Sequence, residues 1–107
     1  MLKKYALFLF AFAFIIPNLD WRIWLSCFPE LNAIVKCESN YNPSAKHINK
    51  NGTTDRGLFQ INVIHKVDFD SYDPYQSLAW AIQKYYDGDL DIWVCHDKIT
   101  KGKIKNL

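Results

Sequence analysis

The chain has 107 residues, which suffices for one small domain. Its formal charge of +2 is matched by Lys3 and Lys4 alone, so the remainder is near neutral and no nucleic-acid partner is expected. None of its three cysteines lies within metal-ligand spacing of another, and only Cys95 adjoins a histidine, so neither a metal nor another cofactor is expected.

Lys3 and Lys4 precede an unbroken apolar run from Tyr5 to Ile16, which Pro17 ends. A positive start followed by a short apolar stretch is the layout of a secretory signal. The run stops well short of the roughly 20 apolar residues that cross a bilayer. Extending it to Leu25 would bury Asn18, Asp20 and Arg22, which is costly. No clean small-x-small triplet follows, so residues 1–17 read as a signal peptide or an N-terminal membrane anchor, and residues 18–107 as the domain. Either reading exports the domain to the periplasm or the cell exterior. There a pair among Cys27, Cys37 and Cys95 is expected to bridge, leaving one over.

Residues 17–27 form a short mixed stretch whose Trp21 and Trp24 are candidates for packing onto the domain. A helix is predicted from near Phe28 to about Asn40. Pro29 suits its first turn, Glu30 complements its positive end, and Leu31, Ile34 and Val35 mark an apolar stripe. Pro43 pushes Asn42 out of helical geometry and so limits the helix. Glu38 falls on the stripe, four residues after Ile34 and three after Val35. A carboxyl on a core-facing stripe is costly unless it is paired, neutralised or used, although a glutamate at a helix end can also reach solvent.

Asn49-Lys50-Asn51-Gly52 is a turn signal, and Lys46–Ile48 with Thr53–Asp55 read as the strands of a polar hairpin. Leu58, Phe59 and Ile61 read as buried. Residues 63–72 read as loop, and the spacing of Asp68, Asp70 and Asp73 does not match a calcium-binding loop. Asp73 as N-cap and Pro74 open a second helix with a stripe of Leu78, Ile82 and Tyr85, and Gly88 can end it. Leu90 to Cys95 is a short element carrying Trp93. Lys98, Lys101, Lys103 and Lys105 form a basic tail, expected to be solvated and frayed. The fold class is α+β, mostly helical, with one small hairpin.

Glycosidic cleavage commonly employs two carboxyl groups, one protonated to donate to the leaving oxygen and one ionised to stabilise the cationic sugar. Glu38, on an apolar helix face, has the setting of the first, because desolvation raises a carboxyl pKa. Asp55, at the end of a polar strand, has the setting of the second.

The run Cys37-Glu38-Ser39-Asn40-Tyr41-Asn42-Pro43-Ser44-Ala45 resembles the glutamate motif of the soluble-lytic type of lytic transglycosylases, within the lysozyme superfamily. Asn51-Gly52-Thr53-Thr54-Asp55-Arg56-Gly57-Leu58-Phe59-Gln60-Ile61-Asn62 is similar to that superfamily's second signature, in which an acidic residue precedes a Gly-Leu-x-Gln-Ile-Asn core. Lysozyme is the standard worked case of this chemistry, and the roles that follow are implied by resemblance. They make Glu38 the general acid/base and Asp55 the second carboxylate. Ser39 is implied to help orient Glu38, Gln60 and Asn62 to line the sugar cleft, and Tyr85 or Tyr86 to match a cleft tyrosine. Ile92-Trp93-Val94 is similar to the stretch whose tryptophan packs on the catalytic glutamate. If Trp93 packs so, Cys95 comes near Cys37, and Cys37–Cys95 becomes the expected disulfide. The intervening helix holds Cys27 and Cys37 roughly 15 Å apart, too far for a bond. Arg56 departs from the tyrosine or hydrophobic residue often found at its position.

The resemblance implies a lysozyme-like monomer that cleaves the β-1,4 bonds of peptidoglycan glycan strands and leaves anhydro sugar ends. A hydrolytic muramidase in which Asp55 is essential is the alternative, and a non-catalytic wall-binding module is a further one. A cysteine hydrolase built on Cys37 with His47, His65 or His96 lacks flanking residues that would activate the thiol.

Overall fold

The computed structural model describes residues 20–102, and every element below lies within them. The apolar run Tyr5–Ile16 and residues Lys103 and Lys105 lie outside the described residues. Among the described residues, no helix is long and apolar enough to cross a membrane.

The stretch read as mixed contains a helix, α1 (Trp21–Ser26), capped by Asp20, whose carboxylate accepts from the Arg22 backbone N–H at 2.8 Å. A helix this short is not sustained by propensity alone. Tertiary packing holds it, because Trp21 and Leu25, one turn apart, are both buried. Helix α2 (Pro29–Ser39) follows with Pro29 in its first turn, and it buries Leu31, Ala33, Ile34 and Val35. It ends as Asn40 turns left-handed (φ 51°), a conformation that asparagine tolerates better than most residues.

A three-stranded antiparallel sheet comes next, with β1 (Lys46–Ile48), β2 (Thr54–Arg56) and β3 (Ile61–Asn62) in the order β1-β2-β3. The second strand begins one residue later than the hairpin pattern predicts. His47 pairs with Asp55 across one ladder and Asp55 with Asn62 across the other, so Asp55 sits at the middle of the sheet. The third strand escaped prediction because its return turn contains a non-glycine residue in left-handed geometry, Gln60 (φ 48°). Gly57 (φ 79°) begins that turn, and a Cβ there would collide with the backbone carbonyl of Ser71, so only glycine fits.

The predicted loop opens with a 3-10 turn at Val63–His65, which Asn62 caps. Helix α3 (Pro74–Asp87) is capped as predicted: Asp73 Oδ1 accepts from the backbone N–H groups of Tyr75 and Gln76, and Gly88 ends the helix at φ 75°. A 3-10 turn at Leu90–Ile92 leads into α4 (Val94–Thr100), where the sequence suggested only a short element and a frayed tail. Lys98 belongs to that helix and Lys101 is its C-cap, paired with Asp97 at 3.2 Å. Buried Ile99 explains the difference, because it gives the segment an apolar anchor that a solvated tail lacks.

The helices and the sheet share one core centred on Phe59, Leu58, Leu31 and Ile34. Trp93 closes it from the α4 side, donating from Nε1 to the Phe59 carbonyl at 2.7 Å. A Cys37–Cys95 disulfide ties the end of α2 to the start of α4. It spans 58 residues of sequence, a loop length for which chain entropy gives roughly 4 kcal/mol of stabilisation. Cys27 is exposed and not disulfide-bonded. The architecture is a small α+β domain, mostly helical, with a three-stranded sheet.

Candidate active site

A cavity of about 540 Å³ opens between the sheet and the helices, a size suited to small ligands. One wall carries Glu38 from α2, Trp80 from α3, and Ile92, Trp93 and Val94 from the entry to α4. The facing wall is the hairpin with its return strand, presenting Asn49 to Asn51, Thr53, Asp55, Gln60 and Asn62.

Glu38 reaches this cavity from the last turn of α2. Burial raises its carboxyl pKa from the ordinary value to about 7. The backbone of Cys95 opposes burial, the negative charge of Asp55 reinforces it, and the Lys98 ammonium opposes it weakly. The apolar stripe therefore produces what its position suggested, a glutamate that keeps its proton close to neutral pH.

Asp55 stands in a different environment. Its Oδ1 accepts from Asn62 Nδ2 at 2.6 Å. The same amide donates to Thr53 Oγ1 at 3.1 Å, while Asn62 Oδ1 accepts from the Ile64 backbone N–H at 3.0 Å. Asn49 and Asn51 also bond to Thr53, so the hairpin tip and the return strand form one polar network that ends on Asp55. Asn62, expected to line a sugar cleft, lines this cavity, and its amide also fixes the Asp55 side chain.

Gln60 lines the cavity too, but both hydrogens of its amide are engaged, by the carbonyls of Ala45 at 3.1 Å and Gly57 at 2.9 Å. Oε1 is left to face a ligand as an acceptor. Trp93 offers its ring rather than its N–H, which is turned to Phe59. Two expected residues fall elsewhere. The Ser39 hydroxyl donates back to the Val35 carbonyl at 3.2 Å, bonding to its own helix rather than to Glu38. Tyr85 packs edge-on against Phe28, with ring centroids 5.5 Å apart, and is not among the residues lining the cavity.

The sequence reading passed over an aromatic shelf. Trp80 meets Trp93 edge-on at 5.8 Å on one side and His65 at 5.4 Å on the other, and all three line the cavity. Trp80 stands two residues from both Leu78 and Ile82, off the helix stripe, and a large aromatic in that position was the available signal. Burial and the nearby Lys84 ammonium push the His65 pKa below its ordinary value, against the pull of Asp55, so the ring stays neutral near pH 7. Lys84 lies 5.2 Å from the Trp80 ring centroid, within cation–π range.

Among the described residues, no group of three or more His, Cys, Asp or Glu is placed to hold a metal ion. Cys37 lies in the disulfide and cannot serve as a nucleophile, which disposes of the cysteine-hydrolase reading. The cavity thus pairs a half-buried Glu38 carboxyl whose pKa is raised to about 7 with an Asp55 side chain hydrogen-bonded within a polar sheet. Comparison of the chain with protein families, curated proteins and solved structures finds no match.

Proposed function

We propose that the protein is a lysozyme-like glycosidase that cleaves the β-1,4 bonds of peptidoglycan, with Glu38 as general acid and then general base. One observation carries the reading: Glu38 is held protonated to about pH 7 in the same cavity as Asp55. In that state it gives its proton to the glycosidic oxygen as the C1–O bond breaks, and the sugar left behind carries positive charge. The Asp55 carboxylate supports that charge. The aromatic shelf of Trp93, Trp80 and His65 offers flat apolar surface to sugar rings, and the amides of the hairpin wall face their polar substituents.

In the second half of the reaction, the Glu38 carboxylate takes a proton back. Where the donor is a hydroxyl of the same sugar, the product is an anhydro end and the enzyme is a lytic transglycosylase, the reading the motif resemblance favours. Where the donor is water, the enzyme is a muramidase. The 2.6 Å bond from Asn62 to Asp55 favours this second reading, because it orients a carboxylate that ring closure does not require. The substrate places the enzyme outside the cytoplasm, consistent with the signal-like or anchor-like residues 1–17 and acting as a monomer.

The test is digestion of purified peptidoglycan, with mass analysis of the released sugar ends. Anhydro and hydrolysed ends differ by one water. Release of neither, with Glu38→Gln indistinguishable from wild type, would end the proposal.

A further inference from the structure

Four of the residues that line the cavity can carry charge: Glu38, Asp55, His65 and Lys50. The glycosidase reading gives a part to the first three and none to Lys50. Among the described residues lining the cavity, Lys50 is the only lysine or arginine; Lys84, over the Trp80 ring, and Lys98, on α4, are not in the lining. Among the described residues, no carboxylate pairs with Lys50, whereas Arg22, His96 and Lys101 each meet one.

The turn of residues 49–52 that carries this lysine is tightly built. The Asn49 N–H donates to the Thr53 carbonyl at 2.8 Å, and the Gly52 N–H donates to the Asn49 carbonyl at 2.9 Å. Thr53 donates to Asn51 Oδ1 twice, from its backbone N–H at 3.0 Å and from its hydroxyl at 2.7 Å. The same hydroxyl oxygen accepts from Asn49 Nδ2 and from Asn62 Nδ2, each at 3.1 Å, and Asn62 in turn holds Asp55. One hydrogen-bonded unit therefore sets both the backbone that presents Lys50 and the side chain of Asp55. The ammonium reaches into the cavity lining from a fixed base on a flexible stem.

A neutral sugar is served by amides and hydroxyls, which this wall already offers in Asn49, Asn51, Thr53 and Asn62. An ammonium adds discrimination by charge. An anionic ligand entering the cavity is repelled by Asp55, and a cation in the lining offsets that repulsion. Peptidoglycan differs from neutral β-1,4 amino-sugar polymers in the lactyl branch on alternate sugars. Its carboxyl group is either free or extended by a peptide that bears carboxylates of its own. We propose that Lys50 is a specificity residue of the cleft, holding a carboxylate of the lactyl branch and so selecting muramic-acid strands over neutral ones. The inference rests on the glycan-cleaving reading of this cavity and adds to it the charge of the substrate.

The experiment measures equilibrium binding to Glu38→Gln protein, so that the ligand is not turned over. The probe is a tetrasaccharide of alternating N-acetylglucosamine and N-acetylmuramic acid in three forms: lactyl carboxyl free, blocked as a methylamide, or extended by the acid-bearing peptide. At low salt, at least one charged form is expected to bind roughly fivefold more tightly than the methylamide, the worth of one exposed ion pair. Whichever form shows the gain identifies the source of the carboxylate. Adding Lys50→Met should abolish the difference, Lys50→Glu should reverse it, and Lys50→Arg should keep it. Raising the salt should shrink it, because exposed charges are screened. Lys50 is exposed, so all three variants should keep the parent's far-UV circular dichroism. Equal binding of the three ligands to protein that retains Lys50, or a charged preference that survives Lys50→Met, overturns the proposal. Binding of none of them ends the glycan reading of the cavity and this inference with it. If the charged preference is present but wild type releases no sugar ends from peptidoglycan, the catalytic reading alone fails.

Discussion

The two walls of the cavity solve opposite problems with the same functional group. On the helical wall, a carboxyl is half-buried beside Trp93 and a cross-linked backbone, and burial raises its pKa to about 7. On the sheet wall, a carboxyl is embedded in amides and hydroxyls. Glu38 owes its state to what excludes water from it, whereas Asp55 owes its orientation to Asn62. The lesson is that the state of a carboxyl follows its surroundings rather than its residue type, and the two walls are coupled through the charge of Asp55, which helps to raise the Glu38 pKa.

The largest effect is expected from Glu38→Gln, which removes the proton donor and should lower turnover by roughly 10²- to 10⁴-fold, the usual worth of a positioned general acid. Glycan binding should persist, which equilibrium binding to oligosaccharides can check. Asp55→Asn should shift the alkaline limb of the pH–rate profile to lower pH, because the charge that helps to raise the Glu38 pKa is gone. The accompanying rate loss discriminates between mechanisms. Roughly 10²-fold or more is expected if water is the acceptor, as for other lost electrostatic stabilisers, and much less if the sugar closes on itself.

The same contrast appears in stability. The Glu38 pKa is raised in the folded protein, so between its unfolded value of 4.5 and about 7 the folded state binds more protons than the unfolded one. Its contribution is present in full below pH 4.5 and is lost as pH rises through about 7. Discounting for its partial exposure, the loss should amount to about 2 kcal/mol. Denaturant titrations across this range should show that slope in wild type and lack it in Glu38→Gln. Asn62→Ala acts on the other wall. It strands Asp55 and uncaps the Ile64 N–H, and should cost about 1–2 kcal/mol of stability and a modest part of the rate. The smallest effect belongs to Trp80→Ala, which should raise KM by roughly tenfold, equivalent to about 1.4 kcal/mol, and leave kcat little changed.

The walls also differ in how far they could be read in advance. The helical wall was legible because its signals are local: Pro29 and the Leu31, Ile34 and Val35 stripe fixed α2, and Glu38 stood on that stripe. Asp73, Pro74 and Gly88 bounded α3 in the same way. The sheet wall was legible only as a hairpin, because β3 is two residues long and its turn depends on a left-handed Gln60 that composition does not announce. Helix α1 and most of α4 were missed, since each is short and owes its existence to burial of Trp21, Leu25 or Ile99 in a core that the local sequence does not contain. Side-chain direction was the least legible. Nothing in a string of letters turns the Ser39 hydroxyl onto Val35, or points Tyr85 at Phe28 instead of the cleft.

Gly57 lies so close to the Ser71 carbonyl that nothing larger fits between them. The sheet and the segment leading to α3 thereby meet backbone to backbone at one point, at the base of the hairpin. On the opposite side of the same cavity, Ile92 and Val94 stand exposed at the approach to α4, so that lip is bounded by side chains rather than by backbone contact.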